Sequence, residues 1–417
     1  MLKLYNNQSR RLEPFTPLRD TATIYVCGIT PYDTTHLGHA FTYLSFDVLI
    51  RYWEYLGYPV RYVQNVTDID DDIIRKSREV GDDWLQLGNR WTRHFIEDMC
   101  ALNVRPPDVF PRATDVISDM FGPIQTLIDK GHAYVVDGHV YYHVASNPDF
   151  GQISGLPEDE WLPTANERGN FPGDPLKRDP LDFVLWQAQK PGEPAWESPW
   201  GMGRPGWHIE CSTMAIKFLG DTIDVHGGGG DLSFPHHECE AAQSCGITGE
   251  SFFARFWMHA AMVRYQGEKM SKSLGNLIWV RDLLQKHTPD AVRILVNSHP
   301  YYEAWEYDAA ELEPADAMAA TLQRAVRATG GAGAALDADD ALEAFTGALN
   351  NNLNTRGALA AMRGLSERII DAAARGQDVG EAQAALRRMG TVFGLCFGDD
   401  VEPRVRTGWM AHLRRFI

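Results

Sequence analysis

No apolar run in this 417-residue chain approaches the roughly 20 residues that a membrane span needs. No membrane partner is therefore expected. The opening, Met1-Leu2-Lys3-Leu4-Tyr5-Asn6-Asn7, lacks the apolar h-region of a secretory signal, which points to the cytoplasm. Positive charge is also scarce: 39 Lys and Arg stand against 56 Asp and Glu, a net charge of −17. Phosphate contacts need Lys and Arg, so non-specific nucleic-acid binding is disfavoured. No Lys follows Lys286, and the later Arg residues are mixed with acids. Cysteines number only six, Cys27, Cys100, Cys211, Cys239, Cys245 and Cys396, scattered without a secretory signal. That usage argues against disulfides and for metal or catalytic roles. Internal repeats and coiled-coil heptads are absent.

What is present reads as a folded protein of two or three domains, with 44% hydrophobic and 11% aromatic residues. Residues 22–29 are short, apolar and β-branched, a buried strand. The polar turn Thr30–Thr35 leads to a helical pattern from His36 to about Leu56, and residues 60–66 make a second strand. Strand, helix, strand of this length predicts a βαβ unit, a parallel sheet and a ligand at the strand C-termini. Helical stretches fill about 84–101 and 114–131. Residues 132–206 are rich in Gly, Pro and Trp, with short strand-like runs, and read as an insertion. The parallel half resumes near Trp207, with strands at Thr222–His226 and about Phe256–Ala260. After about 310 the chain is Ala-rich at helical spacing and predicts a small bundle, broken at Gly330–Gly333. The bundle is expected to end near Leu395 and to leave Cys396–Ile417 as a short tail.

Two motifs carry phosphate chemistry. His36-Leu37-Gly38-His39 stands where the turn hands over to the helix. Free N–H groups at a helix start favour phosphate, and His36 and His39, one turn apart, can donate to a triphosphate. Lys269-Met270-Ser271-Lys272-Ser273 supplies two lysines, Lys269 and Lys272, in a Ser- and Gly-flanked loop able to close during a reaction. Either motif alone is more often a polar helix start or a solvated loop; the pair, about 230 residues apart on a doubly wound pattern, is far more specific. Gly227-Gly228-Gly229-Gly230-Asp231 follows the strand ending at His226. A bare glycine run is usually a loop, but here it stands where a switch-point ligand belongs. The glycines would let adenosine lie on the backbone, and Asp231 could bind ribose hydroxyls.

A third group suits a metal. Cys27 closes the first strand, Cys211 lies in Trp207–Cys211, and His236 and Glu240 are four apart on a helical stretch. Two cysteines, one histidine and a carboxylate match zinc. In isolation such spacing more often means buried structural residues. Yet Cys27 is only nine residues before His36, so its strand end lies beside the phosphate site. A zinc ion there would read a substrate thiolate. Cys239, three residues after His236, is the competing fourth ligand. Shape alone separates near-isosteres by about 10²-fold, whereas zinc separates cysteine from serine by chemistry.

At these residues the chain from about 1 to 310 resembles the cysteinyl-tRNA synthetase-like class I family, which includes the mycothiol-pathway cysteine ligase. The shared stretches are Tyr25–Gly28, Asn65–Asp68, Gly206–Cys211, Pro235–Glu238 and Lys269–Asn276. The resemblance implies an α/β fold: a Rossmann-like doubly wound parallel-sheet catalytic domain with an insertion, plus a C-terminal helical bundle. It implies halves at 1–131 and 207–263, an insertion at 132–206, a KMSKS loop and stem-contact-like region at 264–309, and the bundle and tail at 310–417. It also implies ATP with Mg2+, L-cysteine and Zn2+ as substrates and cofactor. By resemblance, Gly28, Ile29, Thr30, Thr42, Asn65, Val66, Thr67, Trp207, Gly229, Gly230, Asp231 and Val263 line a cysteinyl-adenylate pocket. For Thr42, Val263 and Trp207 the plain alternative is core packing. Trp207 and His226 are expected to close over the metal-bound sulfur.

The acceptor is the open part. Glu97-Asp98-Met99, Pro106-Pro107 and Glu167-Arg168-Gly169 lean toward the mycothiol ligase, which joins cysteine to glucosaminyl-inositol. So does the absence of an anticodon-reading module from the chain as given. Glu240, Pro111–Thr114, Asp182–Trp186 and Ser273-Leu274-Gly275-Asn276 lean toward the tRNA enzyme. The expectation is transfer to the amine of a small aminosugar, with a cysteine–tRNA ligase as the alternative. A non-catalytic zinc- and nucleotide-binding paralogue is a third class, opposed by the intact motifs.

Overall fold

The computed structural model describes residues 1–33, 35–270 and 275–416. A hairpin, β1 (Lys3–Asn6) and β2 (Arg11–Pro14), precedes β3 (Ala22–Ile29). Helix α1 (Leu37–Tyr55) returns the chain to β4 (Val60–Val66), which pairs parallel with β3. Helices α2 (Asp71–Val80), α3 (Trp84–Ala101) and α4 (Ile117–Asp129) follow. The insertion folds as an antiparallel sheet of β5 (Ala133–Val136), β6 (His139–Tyr142), β7 (Phe183–Ala188) and β8 (Gly203–Pro205), with α5 (Glu158–Glu167) before β7. Then α6 (Trp207–Leu219), β9 (Ile223–Gly229), α7 (Glu238–Thr248) and β10 (Ala254–Ala260) complete a four-stranded parallel sheet of order β10-β9-β3-β4.

That order sets the site. After β3 the chain steps to one side, to β4, and the second half steps to the other, to β9. The C-terminal ends of β3 and β9 therefore flank a switch-point crevice. Side-chain alternation then divides β3 between two cores. Ile24 and Val26 pack with α1 and the bundle, while Tyr25 and Cys27 face α4, α6 and the insertion. The buried, β-branched strand and its parity thus deliver Cys27 to the insertion side.

Beyond the sheet, β11 (Val263–Tyr265), β12 (Glu268–Lys269) and β13 (Trp305–Glu306) make a small sheet. Helices α8 (Val280–Leu284) and α9 (Pro289–Asn297) lie between β12 and β13 in the chain. The bundle is α10 (Leu312–Arg327), α11 (Asp339–Asn350), α12 (Thr355–Ala374) and α13 (Gly380–Val392). No helix among the described residues is long and apolar enough to cross a membrane.

Two expectations need correction. The glycine run is not a loop after a strand ending at His226: β9 continues through Gly227, Gly228 and Gly229 before it turns. The segment after Leu395 is also more than a tail. Pro403–Leu413 forms a last helix, α14, whose Trp409 is fully buried and donates its indole N–H to the Val104 carbonyl at 2.7 Å. Val405, Trp409 and Phe416 supply its buried apolar contacts, a thin signal among Arg404, Arg406, Arg414 and Arg415.

Candidate functional site

The crevice is a cleft of about 950 Å³ at the ends of β3 and β9, walled on one side by the insertion. Three helix starts converge on it. His36 is the N-cap of α1, and its Nδ1 accepts from the backbone N–H of Gly38 at 3.1 Å and of His39 at 3.4 Å. The first-turn donors of this helix are thus partly taken by the ring itself. His36 and His39 stack at 3.8 Å, and both line the cleft with Gly38 and Thr42. The segment after the lysine motif docks here too. Leu37 N–H donates to the Ile278 carbonyl at 2.8 Å, and Val280 N–H to Thr35 at 3.0 Å. Met270 also lines the cleft, beside Val263. Lys269 ends β12, and Lys272 lies outside the described residues.

The floor is built from β3 and the starts of α6 and α7. The pairing of β3 with β4 is irregular between Val26 and Ile29, which turns Cys27 and Gly28 out of the ladder. Gly28 N–H donates to the Asn65 side-chain oxygen at 2.8 Å, and Asn65 Nδ2 to Thr67 Oγ1 at 3.1 Å. A side chain at position 28 would collide with the Asn65 carbonyl, 1.6 Å from where a Cβ would sit. Cys211 lies one turn into α6, whose first residue is Trp207. His236 stands in a kinked turn, Ser233–His237, in which Phe234 has extended backbone, and Glu240 in the first turn of α7. The positive ends of α6 and α7 favour negative ligands at this point.

The donor atoms of Cys27, Cys211, His236 and Glu240 all lie within 4.8 Å of one another, and all four residues are buried. His236 Nε2 is 3.3 Å from Glu240 Oε2. The other ring nitrogen of His236 meets His208 Nδ1 at 2.8 Å, which leaves Nε2 for the donor cluster. Glu240 Oε1 is buried with no hydrogen-bond partner. Burial pushes His236 down to about 3, so its imidazole is neutral, as a ligand must be. Burial first, then the Cys211 thiol and the Glu240 carboxylate, push the Cys27 thiol up. A dry cluster of two thiols, an imidazole and a carboxylate with an orphaned oxygen fits a thiophilic divalent cation. A second group, Cys27, His226, His237 and Glu240, is equally compact. The first group suits zinc better: it has two sulfurs, and Cys27, Cys211 and His236 all face the cleft.

Cys239 is not a member of either group; it is buried in the apolar core beneath the insertion. Of the residues expected around an adenylate, the structure brings Gly28, Ile29, Thr30, Thr42, Asn65, Thr67, Trp207, Gly229, Asp231 and Val263 together in the lining of this cleft. Three others do not line it. Val66 points the other way along β4, into the core with α1. Gly230 is not among the lining residues, and a side chain there would meet the Ala260 carbonyl 3.1 Å away. His226 is fully buried behind the donors, 3.1 Å from Glu240 Oε2 and 3.6 Å from Cys27 Sγ. It backs the cluster instead of covering a substrate, whereas Trp207 stacks on His236 at 4.3 Å. Sequence reasoning missed the cleft roles of Tyr32, Asp70 and Lys177, which carry no pattern of their own. It noted Arg168 only as part of a likeness. Arg168 pairs with Asp231 at 3.1 Å.

Residues 14–317 match the family model described as tRNA synthetases class I (C) catalytic domain. The chain is 45% identical over 403 residues to a cysteine–tRNA ligase of Halorhodospira halophila, a match spanning 96% of this chain and 86% of that one. It is 46% identical to a cysteine–tRNA ligase of Methylococcus capsulatus, with the same coverages. A cysteine–tRNA ligase of Thermococcus onnurineus is 49% identical over 307 residues, a match spanning 73% of this chain and 63% of that protein. Among solved structures, Mycobacterium tuberculosis methionyl-tRNA synthetase superposes with a TM-score of 0.60 at 16% identity, over 95% of this chain and 92% of that one. The LeuRS of an Agrobacterium radiobacter K84 ternary complex gives 0.63 at 11% identity, over 95% and 86%. Those two likenesses concern the fold, which is the class I aminoacyl-tRNA synthetase catalytic fold with a helical C-terminal region. With the family model matched across the sheet, the insertion and the connecting region, the chain belongs to the class I (C) tRNA synthetase family and is an ATP-dependent ligase of that family.

Proposed function

We propose that this chain activates L-cysteine with ATP as cysteinyl-adenylate and passes the cysteinyl group to a tRNA. The observation that carries the first half is the buried set of Cys27, Cys211, His236 and Glu240 at the floor of the cleft that His36 and His39 border. Zinc held by that set supplies a soft Lewis acid that favours a thiolate over a hydroxyl. The protein's own groups do the rest. His36 and His39 stand where a triphosphate meets the start of α1, and Asp231 faces the cleft as a ribose ligand. Held this way, a cysteine carboxylate oxygen attacks the α-phosphorus as the bond to pyrophosphate breaks. An acceptor oxygen then attacks the carbonyl carbon, and AMP leaves with the electron pair. Catalysis is by positioning and by donors aimed at developing charge.

The acceptor half rests on the relatives. Proteins named cysteine–tRNA ligase match 96% of this chain, bundle included. This favours tRNA over the aminosugar acceptor toward which stretches such as Glu97–Met99 and Glu167–Gly169 leaned. Two measurements test the reading. Cysteine-dependent ATP–pyrophosphate exchange is expected without acceptor, and AMP release is expected on adding tRNA but not glucosaminyl-inositol. An amide product with the aminosugar and no charged tRNA overturns the acceptor. The purified protein should hold one zinc per chain, and Cys27→Ser and Cys211→Ser should each lose it in metal analysis. Wild-type protein without zinc removes the basis of cysteine selection.

A further inference from the structure

We propose that Arg168, carried by the insertion, is a positioning residue of the nucleotide site that holds the Asp231 carboxylate aimed at the ribose hydroxyls. The inference rests on the reading of Asp231 as the ribose ligand. Both side chains line the cleft, each 29% exposed, and Arg168 Nη1 donates to Asp231 Oδ2 at 3.1 Å. Asp231 Oδ1 turns back over the strand end, 2.8 Å from where a side chain on Gly229 would begin. One carboxylate oxygen is thus held by the guanidinium, and the other lies near Gly229 at the end of β9.

The insertion places Arg168 with little freedom. Arg168 is the C-cap residue of α5, and α5 packs on the kinked turn that carries His236. Trp161 of α5 stacks on Phe234 at 6.3 Å, and Phe150 meets both rings. Further along, Glu238 accepts the backbone N–H of Gly151 at 3.0 Å and of Ser154 at 2.7 Å. The stretch from Asp231 to Glu238 is therefore clamped to the insertion at three places, and the Arg168 pair is the charged one that lines the cleft. On the far side of Arg168, Asn170 bonds Asn166 and the Pro180 carbonyl, and Lys177 bonds Asn170. This wall is stapled to itself and arrives as a unit.

The chemistry follows from the charges. A carboxylate accepts from two vicinal hydroxyls only when its plane is held in place, and a guanidinium bonded to one of its oxygens holds it there. Without Arg168 the carboxylate loses that fixed orientation. The nucleotide should then lose the part of its affinity that depends on the hydroxyls. The insertion would thereby be part of the ATP site as well as the wall beside it.

Cysteine-dependent exchange measured with ATP and with 2′,3′-dideoxy-ATP tests this in the intact protein. Wild type should prefer ATP. In Arg168→Ala the KM for ATP should rise about tenfold, and the preference for ATP over the dideoxy nucleotide should fall toward unity. Arg168→Lys should recover part of both, and zinc content should be unchanged in each. Arg168→Ala with the wild-type preference overturns the inference, provided Asp231→Asn loses it. Asp231→Asn with an undiminished preference overturns the ribose reading itself, and the inference with it.

Discussion

Asp68 shows how one buried carboxyl is set against its surroundings. It is 3% exposed, and it accepts from Thr114 through the backbone N–H at 3.0 Å and the hydroxyl at 2.6 Å. Arg112 stands 4.0 Å away. Burial outweighs all of these and raises its pKa to about 6. The folded value lies above that of the unfolded chain, so the fold prefers the protonated form. That stabilisation is complete below about pH 4 and is lost as pH rises through about 6. Asp68→Asn keeps the shape and removes the titration. Urea midpoints between pH 4.5 and 7.5 should therefore fall further for the wild type, by about 2 kcal/mol of stability. Parallel profiles for the two proteins would refute it. At this same scale the grouping of Cys27, Cys211, His236 and Glu240 was legible, because thiol, imidazole and carboxylate are rare together. Val66 and His226 were misplaced because exposure to a cleft depends on strand parity and on what stands in front, neither of which spacing encodes.

Strands β3 and β4 were read to their end residues because parallel strands covered on both faces are short apolar runs. Helix α14 was lost because it buries only Val405 and Trp409, too few positions to make a helical pattern. Its docking matters to the sheet. Trp409 packs edge-on against Phe95 and Phe110, His412 reaches the Pro107 carbonyl at 2.8 Å, and Arg415 reaches that of Phe110 at 2.9 Å. The loop so held in turn lines the free edge of β4: Gln64 N–H donates to Val109 at 3.2 Å and Val66 N–H to Pro111 at 2.9 Å. Trp409→Ala empties a buried site and strands the Val104 carbonyl. It should cost about 3–5 kcal/mol, read as a lower urea midpoint, while Trp409→Phe costs less. A shift below about 1 kcal/mol would mean that α14 is only laid on the surface.

At the scale of the whole molecule, the acceptor was the least legible feature, since the stretches that bear on it are scattered along the chain and point both ways. The joint between the sheet and the bundle was hidden for a similar reason: its members are far apart in the chain. One apolar core runs from Ile24 and Phe46 through Leu295 to Leu386 and Trp409. Inside it lies a charged node. Asp47 of α1 pairs with Arg51 at 3.0 Å and with Arg293 of α9, all three at 2% exposure or less. Arg293 also donates to the carbonyls of Leu102, at 2.7 Å, and Phe393. Arg51 reaches Asn103, at 2.7 Å, Thr391, at 3.2 Å, and Glu402, at 2.9 Å. Burial acts to raise the Asp47 pKa, and Arg51 and then Arg293 more than reverse it. The helix that begins at His36, the end of α13 and the segment before α14 thus share one carboxylate. Asp47→Asn leaves two guanidinium groups buried beside a neutral amide, which should cost about 3–5 kcal/mol. Arg293→Met should cost less, because Arg51 still neutralises Asp47. The loss should also be unevenly spread. In the wild type, far-ultraviolet and near-ultraviolet circular dichroism should report one shared urea transition. In Asp47→Asn the Ala-rich bundle, which holds few of the aromatic residues, should lose its helical signal ahead of the aromatic signal of the sheet. Coincident transitions at an unshifted midpoint would mean that the apolar contacts alone join the two parts.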